Sequence, residues 1–269
     1  MYEDLMFKVL KIAKEASNMI EASKKNAKFS LKNDSSYVSE VDISVEKFIS
    51  LNLKSIDPNT PVYGEELGSE GVESEDTYWL IDPIDGTAWY KMGIPVYGSL
   101  ISLIKNGEPV IGCISLPGIN KVCYAFEGGG CFVEEYDKSE KAPTQSSIVN
   151  HIKDATISAS GIHGTSTWLE NGSTPWELQK IFKDAKLFKF TGDCIQHVQV
   201  ILGQVDAAID TIMKPWDSAA LIICLRESGS VGMNLQGCTN NLIFSETLLS
   251  ASSEELALEI VEKIKPLAR

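Results

Sequence analysis

The 269-residue chain contains no uninterrupted run of about 18 apolar residues, which leaves no conventional membrane-spanning helix. Its start, Met1-Tyr2-Glu3-Asp4, lacks the basic opening of a secretory signal. A soluble, uncleaved, cytoplasmic protein is expected. Histidine is scarce, with three, at 151, 163 and 197, and none of the six cysteines (113, 123, 131, 194, 224 and 238) stands in a Cys-x-x-Cys pair. A zinc site of the usual thiolate or imidazole type therefore has little material. The cysteines sit in apolar runs and read as reduced core residues, so any metal is expected to be hard and oxygen-bound. Positive charge is also short: 24 Lys and Arg stand against 37 Asp and Glu, a net charge of -13. A chain of that charge, with no basic stripe, repels polyanions, and nucleic acid is excluded as a partner. No Gly-x-Ser-x-Gly elbow and no Gly-x-x-x-x-Gly-Lys loop occurs, which removes the usual serine-hydrolase and nucleotide-triphosphatase signatures.

What is present can build a sizeable core. At 43% hydrophobic, the chain is long enough for one large layered domain or two small lobes. Apolar residues at Leu5, Met6, Val9, Ile12, Ala13, Ala16, Met19 and Ile20 form one stripe, predicting an amphipathic helix over 5–20. A second helix is expected over 42–56, stopped by Asp57-Pro58-Asn59. Residues 99–104 and 109–116 read as a hairpin turned at Asn106-Gly107, and 122–126 and 131–135 flank Gly128-Gly129-Gly130. Residues 1–145 thus form an antiparallel half, and a polar stretch over 138–147 marks the boundary. In the remaining half, 146–269, strands over 156–160, 187–190, 207–211 and 241–245 alternate with helices over 176–183, 195–202, 218–227 and 254–264. That alternation predicts a layered α/β arrangement, with both halves in one compact unit.

The chemistry concentrates in Trp79-Leu80-Ile81-Asp82-Pro83-Ile84-Asp85-Gly86-Thr87. Side chains three apart on a strand face opposite ways, so Asp82 and Asp85 converge only if the strand turns. Pro83 supplies no N–H, and Gly86 admits a backbone most residues resist. Two carboxylates and the Ile84 carbonyl would then suit a hard cation such as Mg²⁺, or the acids simply decorate a turn. Glu65 and Glu66 follow a short β-like run in Val62-Tyr63-Gly64-Glu65-Glu66-Leu67, where a solvated pair is the plain alternative. Asp217, in Lys214-Pro215-Trp216-Asp217-Ser218, stands where a helix starts, and an N-cap is its alternative.

Asp82-Pro83-Ile84-Asp85-Gly86-Thr87, preceded by Gly64-Glu65-Glu66 and followed by Trp216-Asp217-Ser218-Ala219-Ala220, resembles the inositol monophosphatase superfamily of magnesium-dependent, often lithium-sensitive phosphatases. Gly93-Ile94-Pro95-Val96-Tyr97-Gly98-Ser99-Leu100, Gly192-Asp193-Cys194 and Lys214-Pro215-Trp216-Asp217 are similar to the histidinol-phosphate phosphatase branch. Where inositol monophosphatases usually carry Thr-Asn-Phe, this chain has Ala88-Trp89-Tyr90.

The resemblance implies a layered α-β-α-β-α sandwich, commonly a homodimer, acting on a small phosphorylated metabolite with two to three Mg²⁺ ions. It implies that Glu65, Asp82 and the Ile84 carbonyl hold one ion, and that Asp82, Asp85 and Asp217 hold a second. A weaker third would lie near Glu65. Gly86 and Thr87 would grip phosphate, and Thr87 with Glu65 would orient the attacking water. Asp42 matches a further acid of the water network, although a helix N-cap explains it as well. Asp193 and Asp210 would face the departing alcohol, and Lys214 could meet a carboxylate or phosphate of the substrate. Asp210 reads equally as an edge-strand charge, and Lys214 more readily as a solvated surface lysine. Cys194 and His197 are expected in helix core and on helix surface, and Trp89, Tyr90 and Trp216 in the pocket wall or the core.

The expected reaction is hydrolysis of histidinol phosphate. The alternatives are inositol 1-phosphate, a 3'(2'),5'-bisphosphate nucleotide, or a catalytically silent metal- and phosphate-binding regulator. Phosphatases with a nucleophilic aspartate use Asp-x-Asp-x-Thr; the spacing here is one residue longer.

Overall fold

The computed structural model describes residues 2–32, 36–66, 68, 75–136, 141–162 and 176–265. Leu67, His163 and the 138–140 part of the expected boundary lie outside them. Helix α1 (Tyr2–Ser23) buries Met6, Val9, Ala13, Ala16 and Ile20, the stripe its periodicity predicts. A short antiparallel ribbon, β1 (Phe29–Leu31) and β2 (Tyr37–Ser39), leads into α2 (Glu40–Ile56). Ser39 caps α2, its hydroxyl accepting from Val41 and Asp42 N–H while the Asp42 carboxylate accepts the Ser39 N–H.

A seven-stranded sheet follows in chain order: β3 (Val62–Gly64), β4 (Thr77–Asp85), β5 (Gly98–Lys105), β6 (Glu108–Leu116), β7 (Lys121–Phe126), β8 (Gly130–Glu135) and β9 (Lys141–Pro143). β3 pairs parallel with β4; every later pair is antiparallel. Alternation sorts the side chains onto two faces. Val122 and Tyr124 join the core under α1 and α2, whereas Cys123 and Ala125 point the other way.

That other face carries α4 (Asp193–Ile201) and α5 (Pro215–Ser228). α5 lies so close to β6 that a Cβ on Gly112 would stand 2.6 Å from the Ala220 carbonyl. Beyond these helices is a five-stranded sheet in the order β11 (Leu187–Phe190), β10 (Thr156–Ala159), β12 (Ala207–Asp210), β14 (Leu248–Ala251), β13 (Val231–Met233). α6 (Glu254–Ile264) closes its outer side through Leu256, Ala257, Ile260 and Ile264. The layers thus run α, β, α, β, α, the sandwich expected of the motifs.

Two expected elements differ. The helix over 176–183 is only a 3-10 turn, Leu178–Lys180, because Leu178 and Ile181, three apart, are the residues that reach the core. The strand over 241–245 is likewise a 3-10 turn, Leu242–Phe244, which starts from Asn241 at φ 53°. Leu242 and Ile243 are buried beside Ala219 and Ile222 of α5 without entering a ladder. Apolar runs of this length do not by themselves separate strand from buried turn. Cys238 is exposed rather than core. His197 is buried rather than on a helix surface, with Nδ1 2.7 Å from Ser250 Oγ.

Candidate active site

β4 does not end at Asp82. It continues to Asp85 through a bulge, since Asp82 pairs with Leu100 and Asp85 with Gly98, leaving Pro83 and Ile84 opposite Ser99 alone. The extra residue changes the parity of the strand and so returns Asp82 and Asp85 to one side. Gly86 follows at φ 85°, a left-handed conformation, and turns the chain into α3 (Thr87–Met92). A Cβ there would lie 2.7 Å from the Val96 carbonyl.

Asp217 arrives from α5. Lys214 occupies the N-cap position, and the Lys214 N–H donates to Asp217 Oδ2 at 2.8 Å, so Asp217 serves the third helical position rather than the cap itself. Carboxylate oxygens of Asp82, Asp85 and Asp217 all lie within 4.8 Å of one another. The Cys194 N–H donates to Asp85 Oδ2, tying this cluster to the first turn of α4.

Glu65 is delivered by the parallel neighbour strand: its N–H donates to the Ile81 carbonyl at 3.2 Å, one residue before Asp82. Its Oε1 receives the Lys32 ammonium at 2.6 Å, and Glu66 Oε1 receives the same group at 2.5 Å. Glu46, fully buried on α2, accepts the Glu66 N–H at 2.9 Å. Sequence reasoning missed Lys32 and Glu46. Only the acid-rich turn at 64–66 hinted that counter-charges and backbone acceptors were needed.

Asp42 lies behind the cleft. Its Oδ2 accepts Ser39 N–H at 2.8 Å and Ser39 Oγ–H at 2.5 Å, while Oδ1 is 3.4 Å from Thr87 Oγ1. Thr87 Oγ1 donates to the Ile84 carbonyl at 2.9 Å. Asp42 is thus a capping-box member and a neighbour of Thr87 together.

A cleft of about 680 Å³ gathers Glu65, Asp82, Ile84, Asp85, Gly86, Thr87, Asp193, Lys214 and Asp217, walled by Trp89 and Trp216. Tyr90 is core instead, its hydroxyl donating to the Ile20 carbonyl. Asp210 sits in an adjoining recess beside Asp193. There Asp210 Oδ1 accepts Ser160 Oγ–H at 2.6 Å and Oδ2 accepts Gln196 Nε2–H at 3.1 Å. Asp193 holds φ 51°, unusual outside glycine, and the Trp89 indole N–H donates to its carboxylate.

So many buried acids oppose one another's ionisation. Burial first, then Glu65, Asp85 and Asp217, pushes Asp82 well above the ordinary carboxylate range. Burial, then Asp193 and Asp217, does the same to Asp85. Asp193 is pushed up to about 7 by burial and Asp210. Asp217 also reaches about 7, chiefly through burial. Glu65 and Asp42 rise by burial too.

A divalent cation fits this arrangement. Asp82 is 1% exposed, and its Oδ1 has no hydrogen-bond partner among the described residues. A buried carboxylate oxygen left unpaired among like charges is costly unless a cation meets it. All the donors offered are hard oxygens, the set Mg²⁺ takes.

No helix among the described residues is long and apolar enough to cross a membrane. Comparison with known proteins agrees with the geometry. The inositol monophosphatase family model matches residues 2–267. A histidinol-phosphatase of Chlorobaculum parvum is 30% identical over 222 residues, covering 82% of this chain and 81% of that protein. The extragenic suppressor protein SuhB of Bartonella henselae superposes with a TM-score of 0.83 at 24% identity, over 98% of this chain and 100% of that one. An IMPase/NADP phosphatase complexed with Mg²⁺ and phosphate shares the fold, with a TM-score of 0.80 at 20% identity, over 97% of this chain and 94% of that one. The chain belongs to the inositol monophosphatase family of phosphatases.

Proposed function

We propose that this chain is a Mg²⁺-dependent phosphomonoesterase that hydrolyses histidinol phosphate. The observation that carries the reading is the meeting of Asp82, Asp85 and Asp217 within 4.8 Å, with a partnerless Asp82 oxygen among them. In this reading Glu65, Asp82 and the Ile84 carbonyl would hold one ion, Asp82, Asp85 and Asp217 would hold a second, and a weaker third would lie near Glu65. Bound Mg²⁺ supplies a water of lowered pKa and neutralises charge on the phosphoryl group.

The remaining work falls to the protein. Asp82 and Asp217, whose pKa values burial raises, would have to be deprotonated to serve as ligands. Gly86 and Thr87 seat the phosphate at the turn after β4. Thr87 Oγ–H, fixed between the Ile84 carbonyl and Asp42, orients the attacking water together with Glu65. Positioning and charge neutralisation suffice for such a phosphoryl transfer, so no side-chain nucleophile is required.

Two features support histidinol phosphate over other monoesters. The similarity to the Chlorobaculum parvum histidinol-phosphatase spans most of both chains. Asp193 and Asp210 also make the far wall of the site acidic, which suits a cationic alcohol over a neutral polyol. The test is a side-by-side assay of histidinol phosphate, inositol 1-phosphate and adenosine 3',5'-bisphosphate, with Mg²⁺ and with EDTA. Preference for the first, abolished by EDTA, is expected. Dominant turnover of the second would reassign the substrate, and no turnover of any would indicate a silent regulator.

A further inference from the structure

The sequence spacing of the cysteines gives no sign of a sulfur cluster, yet the fold brings three of them together. Cys123 on β7 and Cys131 on β8 are diagonal neighbours, since Cys123 pairs with Val133 and Ala125 with Cys131. Both point toward α5, where Cys224 meets them. Cys123 Sγ is 3.6 Å from Cys131 Sγ, and the three sulfurs all lie within 4.8 Å of one another. All three residues are buried in the layer between the two sheets.

We propose that Cys123, Cys131 and Cys224 supply three sulfur ligands to one soft cation of the Cu⁺ or Zn²⁺ type, separate from the acidic cleft. Where no sulfur pair exceeds 4.8 Å, some point lies within about 2.8 Å of all three (4.8 divided by the square root of three), against about 2.3 Å for a zinc–thiolate bond. A contraction of about half an ångström would bring the three sulfurs to bonding distance. Thiolates select soft cations, and among the described residues no carboxylate joins this cluster to favour a hard one.

Access is by the hairpin turn. Cys131 follows Gly128-Gly129-Gly130 directly, and Glu227 at the end of α5 clasps that turn, accepting the Gly128 N–H at 2.9 Å and the Gly130 N–H at 2.8 Å. Release of the clasp uncovers Cys131, which retains 3% exposure. Each thiol passes its proton to the buffer as its sulfur bonds the ion, so binding tightens as pH rises. Cys224 and Asp217 are seven residues apart on α5, two turns along one face, so a bound ion fixes the helix that presents Asp217.

The test titrates the reduced, metal-stripped full chain with Cd²⁺ in excess Mg²⁺, which occupies the oxygen ligands, and follows the ultraviolet thiolate-to-cadmium absorption. One Cd²⁺ per chain is expected to produce the band. Cys224→Ser should weaken that affinity roughly tenfold or more, the loss seen when even an outer partner of a metal site is removed. Cys113→Ser, on the opposite face of the sheet, and Cys238→Ser, on the surface, should leave it unchanged. A band that disappears with Cys238→Ser, or that survives Cys224→Ser undiminished, overturns the proposal. Should Cys224→Ser fail to fold, X-ray absorption on the wild-type cadmium complex decides: three sulfur neighbours support the site, and one sulfur or an oxygen shell refutes it.

Discussion

The Lys32 ammonium stands 2.6 Å from Glu65 Oε1, the carboxylate that would otherwise face a metal ion. Burial alone would lower the Lys32 pKa, but its hydrogen bonds to Glu65 and Glu66 outweigh that and raise it, so the lysine is a permanent positive charge. It therefore competes with Mg²⁺ at Glu65. Lys32→Gln is expected to lower the half-saturating Mg²⁺ concentration about fivefold, corresponding to ~1 kcal/mol for a partly exposed pair. Calorimetric titration with Mg²⁺ checks it; an unchanged or higher requirement contradicts it.

Asp82→Asn should separate stability from catalysis. The substitution removes a carboxyl that burial, with Glu65, Asp85 and Asp217 around it, forces to fold protonated, at a cost in free energy near neutral pH. Without metal, the variant is expected to gain about 1–2 kcal/mol of stability, as found where a strained functional site is relieved. With Mg²⁺ it should lose nearly all phosphatase activity. Denaturant unfolding in EDTA beside a phosphate-release assay reads both, and a variant less stable than wild type in EDTA would show that the acids are not in conflict.

The pH dependence has a definite sign. Burial pushes Asp193 and Asp217 up to about 7 in the folded chain, against about 4 when unfolded, and Asp82 and Asp85 are also pushed well above their unfolded range. Raised carboxylates leave the folded state holding more protons than the unfolded one. Their stabilisation is complete below about pH 4 and is lost as pH rises through 7. In EDTA the melting temperature should therefore fall from pH 5 toward 8, once other titrations are matched by an Asp82→Asn/Asp217→Asn control. Saturating Mg²⁺ should remove that fall. A slope indifferent to Mg²⁺ would dissociate these groups from metal binding.

Gly86→Ala tests the turn. At φ 85°, with the Val96 carbonyl 2.7 Å from any Cβ, alanine meets both backbone strain and a clash. A loss of about 2 kcal/mol or more is expected, together with a fall in turnover because Thr87 moves with the turn. A thermal melt and the phosphate-release assay check it. A wild-type melt would mean the backbone adapts freely.

Much of this site was legible because its ligands come in short motifs. Asp82 and Asp85 are bound to one bulge, Gly86 to one turn, and Asp217 to the first turn of one helix, so local sequence states the geometry almost completely. The strand was expected to turn at Pro83; instead a single unpaired residue in the ladder achieves the same convergence. Lys32 and Glu46 were invisible because their roles depend on a ribbon and a helix folding back over a turn far along the chain. The same holds for the three sulfurs, which meet from two strands and a helix. The runs at 176–183 and 241–245 failed for the opposite reason: their apolar residues announce burial, and burial does not specify whether the backbone coils or pairs. On β7, by contrast, alternation alone sorts Val122 and Tyr124 to one face and Cys123 and Ala125 to the other.

In the proposed function, Asp82, Asp85 and Asp217 enclose a divalent cation. Anomalous diffraction from a crystal soaked in Mn²⁺, an oxygen-preferring stand-in for Mg²⁺, tests it directly. A strong anomalous peak bounded by these three carboxylates, lost in the Asp82→Asn crystal, is expected. An empty cluster with manganese bound elsewhere on the chain would contradict it.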